Sequence, residues 1–197
     1  MYQLKKSSRR GRRRNREPRS ASKILTLIKA VNDHKGFKQM ASYNLSCLCK
    51  LISPPLPDWN ENLQFALKKG GLRACTAAIK ANHGDENLLL AATSVMDQAA
   101  TTEEGAKEVI ESGSLDACLD SIQSTKANVE SAALSATQTM TKIASRSAKH
   151  FVNTGTTEKI FQVMATFKNQ SSGVLNNCMA TLEKISKDDD GMNEIVQ

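Results

Sequence analysis

The feature that most constrains the fold of this chain is an internal repeat of about 43 residues. Residues 70–75 align with residues 113–118 at a shift of 43, and residues 155–160 follow at a shift of 42. Each copy begins with a glycine, and apolar residues then recur at the i, i+3 and i+7 spacing of one helix face. A glycine at that point suits the left-handed conformation that ends a preceding helix. A single unit cannot bury its apolar face alone, so stacked units must share one continuous core.

A second, longer helix is predicted in each unit. Its apolar face is formed in successive copies by Leu89, Ala92, Met96 and Ala99; by Ala133, Ala136, Met140 and Ile143; and by Leu175, Cys178, Leu182 and Ile185. A backward shift of 48 places an N-terminal copy on residues 41–51, and its extra length falls in the proline-rich loop 53–58. A short third helix is predicted before each glycine, the last of them around residues 148–152.

These patterns predict an all-α chain with two parts. Residues 1–20 form a disordered basic tail, and residues 21–197 form the repeat domain. The units cover about residues 21–69, 70–112, 113–154 and 155–197, with the first and last incomplete. An ordinary helical bundle is the alternative, although a bundle does not require three in-phase copies. The array is expected to be truncated at its C-terminus. Three explanations of this unfinished pattern remain open: a fragment, a shortened gene model, and a contact with a second copy or a partner at that end.

The pattern resembles the armadillo repeat family over residues 21–197. The resemblance rests on the three-helix unit, the period of 42 to 44 residues, the glycine before the second helix and the paired small residues of the third. Ala91 with Ala92, and Ala132 with Ala133, are such pairs. The two-helix HEAT repeat is the nearest alternative. The armadillo resemblance implies a right-handed α-solenoid of about four repeats, and a non-enzymatic scaffold or adaptor that binds a partner segment along its concave groove.

The same resemblance places the candidate groove on the third helices. Peptide-clamping members hold an Asn there. The matching positions of this chain hold Lys50, Gln98, Lys142 and Lys184, and two further candidates, Ser94 and Gln138, lie one turn earlier on their helices. No Trp flanks them. Three ammonium groups would repel a Lys-rich ligand, so an acidic segment or a phosphopeptide is the expected ligand. Asp97 and Glu183 lie close enough in sequence to neutralise part of this charge. The alternative is that the lysines are ordinary solvated side chains.

The basic tail is a second candidate functional element. Residues 1–20 contain nine basic residues and one acid, a net charge of +8, whereas the remainder of the chain, with 18 basic and 19 acidic residues, has a net charge of −1. Its densest part consists of Lys5, Lys6, Arg9, Arg10, Arg12, Arg13, Arg14 and Arg16. Three interpretations of this tail remain open: a nuclear-localisation signal, a phosphate contact with nucleic acid, or a solvated extension. A mitochondrial transit peptide is less favoured. A basic tail before armadillo repeats is also similar to importin-α-type adaptors, which implies a transport receptor as the partner of residues 5–19.

Several functional classes are disfavoured by what the sequence lacks. No apolar run approaches the 18 residues of a membrane span, and no apolar stretch follows the basic start as a secretory signal requires. Five cysteines, an odd number, favour a reducing compartment, the cytoplasm or the nucleus. Cys47 and Cys49 do not have a zinc spacing. We find no nucleophile–base pair and no phosphate-binding glycine loop, so we expect no metal, no cofactor and no enzymatic activity.

Overall fold

The computed structural model describes residues 17–124, 129–151 and 154–187. Within these ranges the chain forms ten α-helices and no strand, which confirms the prediction of an all-α protein. The helices are α1 (Ala21–Asp33), α2 (Lys38–Leu51), α3 (Trp59–Lys68), α4 (Gly71–Ala81), α5 (Glu86–Ala99), α6 (Glu103–Glu111), α7 (Ser114–Ser124), α8 (Glu130–Ser147), α9 (Thr156–Phe167) and α10 (Ser172–Ile185). The cationic residues predicted for the tail between positions 5 and 16 lie outside the described residues.

The long helices are arranged in two rows. In the first row α1, α4, α7 and α9 pack side by side in chain order, and in the second row α2, α5, α8 and α10 do the same. The rows face each other, with α1 on α2, α4 on α5, α7 on α8 and α9 on α10. The short helix α3 contacts α1, α4 and α5, and α6 contacts α5, α7 and α8. Helices at equivalent positions of the sequence repeat are therefore neighbours in space.

One apolar core runs through the two rows. It is formed mainly by small and aliphatic side chains, and the paired alanines of α5 and α8 belong to it. Ala92, Met96, Ala133, Ala136 and Met140 are all completely buried. Among the described helices, none has both the length and the apolar character required to cross a bilayer.

Side-chain caps fix where three helices begin. Asp85 accepts a hydrogen bond from the amide of Leu88 at 2.9 Å at the start of α5. Thr102 caps α6 in the same way through Gly105, at 3.1 Å. Ser171 caps α10. Each cap satisfies an amide that has no partner inside its helix.

The glycines that open three first-row helices have the conformation that the sequence predicts. Gly70, Gly113 and Gly155 have φ angles of 81°, 68° and 71° and precede α4, α7 and α9. A residue with a Cβ pays about 1–2 kcal/mol in this left-handed region. Glycine therefore allows the chain to reverse sharply between the preceding helical segment and the first-row helix that follows.

The segment before Gly155 differs from the prediction. The sequence pattern predicts a separate short helix around residues 148–152, but α8 continues to Ser147, and a 3₁₀ turn, Ala148–His150, follows it directly. The equivalent boundary between α5 and α6 has Thr102 as a side-chain cap, whereas no side-chain cap is formed at Ser147. Helix α8 consequently has 18 residues, compared with 14 in α5. Phe151 is nevertheless fully buried, as its place in the apolar pattern requires.

Candidate functional site

The six predicted groove residues all belong to the second row. The solvent-accessible residues of α2, α5, α8 and α10 form one surface, called the second-row face. Lys50, Ser94 and Gln138 are exposed on it, and Gln98, Lys142 and Lys184 are half-buried. Their positions follow from the apolar spacing of these helices, which turns the intervening polar residues away from the core.

A groove of about 230 Å³ between α5 and α8 brings three of the predicted residues together. Ser94, Gln98 and Gln138 line it, with Asp97, Ser135 and Thr139. The Ser135 hydroxyl donates a hydrogen bond to the Thr93 hydroxyl at 3.0 Å across the two helices. The groove is therefore polar and holds two amide side chains, each of which both donates and accepts hydrogen bonds.

A larger groove, of about 600 Å³, lies between α2 and α5 and shares Ser94 with the first one. Tyr43 stands at this groove and is 69% exposed. Tyr43 is not among the residues predicted for the groove, although a large aromatic residue lying off the apolar stripe of α2 is a usable signal of exposure. Lys38 and Asp85, on opposite sides, form an ion pair of 3.1 Å. The two grooves together extend along α2, α5 and α8.

Lys142 has partners within the protein. Its ammonium group donates to the carboxylate Oδ1 of Asp97 and to the Asp97 backbone carbonyl, both at 2.9 Å. Both side chains are about one third exposed, at 32% and 37%. Lys142 therefore links α8 to α5, and Asp97 offsets its positive charge.

The other two predicted lysines occupy separate grooves. Lys50 lines a groove of about 460 Å³ between α1 and α2, where Leu27, Cys47 and Leu51 supply apolar surface. Lys184 lines a groove of about 420 Å³ between α8 and α10. The three lysines consequently do not meet at one binding position, and the paired Lys142 lies between Lys50 and Lys184 in the order of the helices.

No protein-family model matches the sequence, and no curated protein matches it.

The cysteines mainly belong to the core. Cys75, Cys118 and Cys178 are fully buried, and burial raises the pKa of each thiol to about 12. Such thiols stay protonated at neutral pH and are poor nucleophiles. Cys47 and Cys49 are half-buried in α2, and burial also raises the pKa of Cys49. In the described part of the chain, no group of three His, Cys, Asp or Glu residues is placed to hold a metal ion.

Proposed function

We propose that this chain is a non-enzymatic protein-interaction scaffold, built as a right-handed α-solenoid of armadillo-type repeats, that binds an extended partner segment along the second-row face. The observation that carries the proposal is the side-by-side packing of α2, α5, α8 and α10. This packing places equivalent surface positions of successive repeats next to each other. A regular surface of this kind suits an extended chain, whose own side chains also recur at a regular spacing.

The hydrogen-bonding groups of the second-row face support this mode of binding. Gln98 and Gln138 line one groove, and Ser94 connects it to the groove beside Tyr43. A glutamine amide donates and accepts, so it pairs with either polar group of a peptide backbone. Tyr43 offers an aromatic surface for an apolar side chain of the partner.

The distribution of charge supports an acidic partner segment that is recognised at its ends. Lys38 and Lys142 are both paired, with Asp85 and Asp97. Lys50 and Lys184 form no ion pair within the described residues, and they belong to α2 and α10, the outer helices of the row. Acidic groups of a partner would therefore be bound near these two positions, and the uncharged part of the segment would lie across α5 and α8.

A pair of matched variants tests the proposal. Gln138→Trp places a bulky ring in the groove between α5 and α8, and Gln162→Trp places the same ring on the exposed surface of α9, in the other row. Partners of the full-length chain are identified by crosslinking, affinity purification and mass spectrometry. We expect Gln138→Trp to reduce recovery of a specific protein at least about tenfold, which is the effect of losing about 1.4 kcal/mol of binding free energy. Recovery with Gln162→Trp should match that of the unmodified chain. Equal recovery with both variants, each retaining the unmodified helical circular dichroism, would contradict the proposal.

The same purification addresses a second candidate function, which the nine cations of residues 1–20 favour. In that case the chain is associated with nucleic acid through phosphate contacts of the tail. Bound RNA would then fall steeply with salt concentration and disappear when residues 1–20 are deleted. Recovery of a transport receptor that depends on residues 1–20 would instead identify a nuclear transport adaptor. Proteins recovered equally with and without the tail would assign recognition to the repeats.

A further inference from the structure

Three cationic side chains line one groove at the C-terminal ends of α8 and α10. This cationic groove, of about 420 Å³, is lined by Ala144, Ser145, Arg146, Ala148, Lys184 and Lys187. Arg146 comes from the last turn of α8, and Lys184 comes from the last turn of α10. An anion in the groove would therefore face positive charge from both of its walls.

The cationic groove has an excess of positive charge on its side chains. Lys187 pairs with Glu183 at 2.8 Å, but both side chains are about 70% exposed. The free energy of such an exposed ion pair is small, so Lys187 can leave Glu183 for another anion at little cost. Arg146 and Lys184 form no ion pair with any described residue. Among the described residues, this one acid against three cations leaves a formal side-chain charge of +2 at the groove. Lys142, in contrast, is held by the Asp97 carboxylate and carbonyl.

We infer that the cationic groove binds a phosphate group carried by a phosphorylated side chain of the partner segment. A phosphate monoester has a charge of about −1.5 to −2 at neutral pH, which matches the excess, whereas a single carboxylate leaves part of it uncompensated. Its three terminal oxygens accept hydrogen bonds from the planar Arg146 fork and from Lys184 on the opposite wall. This inference rests on the proposed scaffold function and adds to it the chemical group recognised and its position.

The composition of the groove favours a phosphorylated protein over RNA. Among the described residues, no aromatic side chain lines it, and its apolar surface comes from Ala144, Ala148 and the aliphatic stems of the cationic side chains. Binding of single-stranded nucleic acid usually combines phosphate contacts along a track with stacking of bases on aromatic rings. A compact groove with three cations fits one phosphate group.

The inference is tested by NMR titration of the full-length, ¹⁵N-labelled chain with a blocked pentapeptide that has phosphoserine at its centre and glycine elsewhere. The sequence continues with aspartates at positions 188–190, and the full chain retains any competition from their carboxylates. We expect saturable shifts at the Arg146 Nε–H group and at the amides of residues 184–187. The same peptide with serine should give no saturable shift, and the peptide with glutamate should bind at least about tenfold more weakly.

Charge-reversed variants provide the matched comparison. Arg146→Glu and Lys184→Glu should each weaken phosphopeptide binding at least about tenfold, because each removes one charge-assisted contact. Lys80→Glu makes the same change of charge at an exposed site on α4, in the first row, and should leave the affinity within about twofold. Shifts that do not saturate, or equal losses in all three variants, would overturn the inference.

Two further outcomes separate this inference from its alternatives. If Arg146→Glu abolishes binding of polyuridylate RNA while the phosphopeptide gives no saturable shift, the groove contacts nucleic acid and the inference is wrong. If Gln138→Trp leaves partner recovery intact while the phosphopeptide binds as expected, the scaffold proposal fails and the phosphate site stands.

Discussion

At the residue scale, Gly105 is required because of a close contact and not because of its backbone angle. It lies in the first turn of α6, directly after the turn that joins α5 to α6. A Cβ at this position would overlap the carbonyl oxygen of Ala99 and would lie 2.9 Å from the Thr102 hydroxyl that caps the helix. Gly36, in the turn after α1, would place a Cβ in open space. The two glycines therefore differ in what a methyl group would meet.

This contrast predicts the effect of alanine at each position. Gly105→Ala should lower the free energy of unfolding by about 1–3 kcal/mol, because a Cβ forces α5 and α6 apart. Gly36→Ala should change it by less than about 1 kcal/mol and in the stabilising direction, because alanine restricts the unfolded chain. Urea denaturation followed by circular dichroism at 222 nm measures both. A Gly105→Ala variant as stable as the unmodified protein would show that the connection between α5 and α6 relaxes freely.

At the scale of helices, polar contacts join the helices of the second row to one another. The Thr141 and Thr181 hydroxyls lie 2.9 Å apart between α8 and α10, and the Asn177 amide donates to the Thr137 hydroxyl at 3.2 Å. The Lys142–Asp97 pair joins α8 to α5. Such contacts are directional, so they set the register between adjacent helices more strictly than apolar packing does.

A double-mutant cycle on Asp97 and Lys142 measures one of these contacts. Asp97→Asn, Lys142→Met and the double variant should give a coupling energy of about 0.5–1 kcal/mol, reduced at 1 M NaCl, because the pair is about one third exposed. The surface pair Lys107–Glu111 within α6, about half exposed, serves as the comparison and should couple by less than about 0.5 kcal/mol. A coupling near zero at low salt would show that Lys142 is a free surface cation and is available to a ligand.

At the scale of the whole molecule, the arrangement in two rows makes the stability of each helix depend on the helices beside it in its row. Helices α4, α5, α7 and α8 each pack between two helices of their own row, whereas α1, α2, α9 and α10 have a row neighbour on one side only among the described residues. In stacked repeats, stability is approximately a sum of the terms within each repeat and the terms between adjacent repeats. The outer helices should therefore open at a lower free-energy cost than the inner ones.

Amide hydrogen exchange checks this gradient. The amides of α5 and α8 should exchange slowest, and those of α1 and α10 should exchange at least about tenfold faster under native conditions, which corresponds to a difference of about 1.4 kcal/mol in opening free energy. Mass spectrometry of peptic fragments resolves the individual helices. Uniform protection from α1 to α10 would indicate a single cooperative unit and would contradict the expected gradient.

The sequence by itself was sufficient for the features that depend on local geometry. The period of about 43 residues located the long helices, and the apolar spacing marked the buried positions of α5 and α8. On α10 it was partly wrong, because Leu175 and Leu182 are only half-buried whereas Val174 and Thr181 are buried. The three glycines were assigned a left-handed conformation that they do adopt. Helix periodicity and the conformational freedom of glycine depend on residues within a few positions of each other, so both can be recognised in the chain without its neighbours.

Only the tertiary structure decided which of the candidate groups are available to a partner. Asp97 is 45 residues from Lys142, and their pairing depends on how α5 lies against α8. The exposure of Tyr43 and the shared groove of Arg146 and Lys184 depend in the same way on where adjacent helices meet. Spacing within a helix indicates which face a side chain occupies, but not its position along the helix axis relative to a residue on the next helix. That axial register is set by packing between helices, and in this protein it decides which charges are paired.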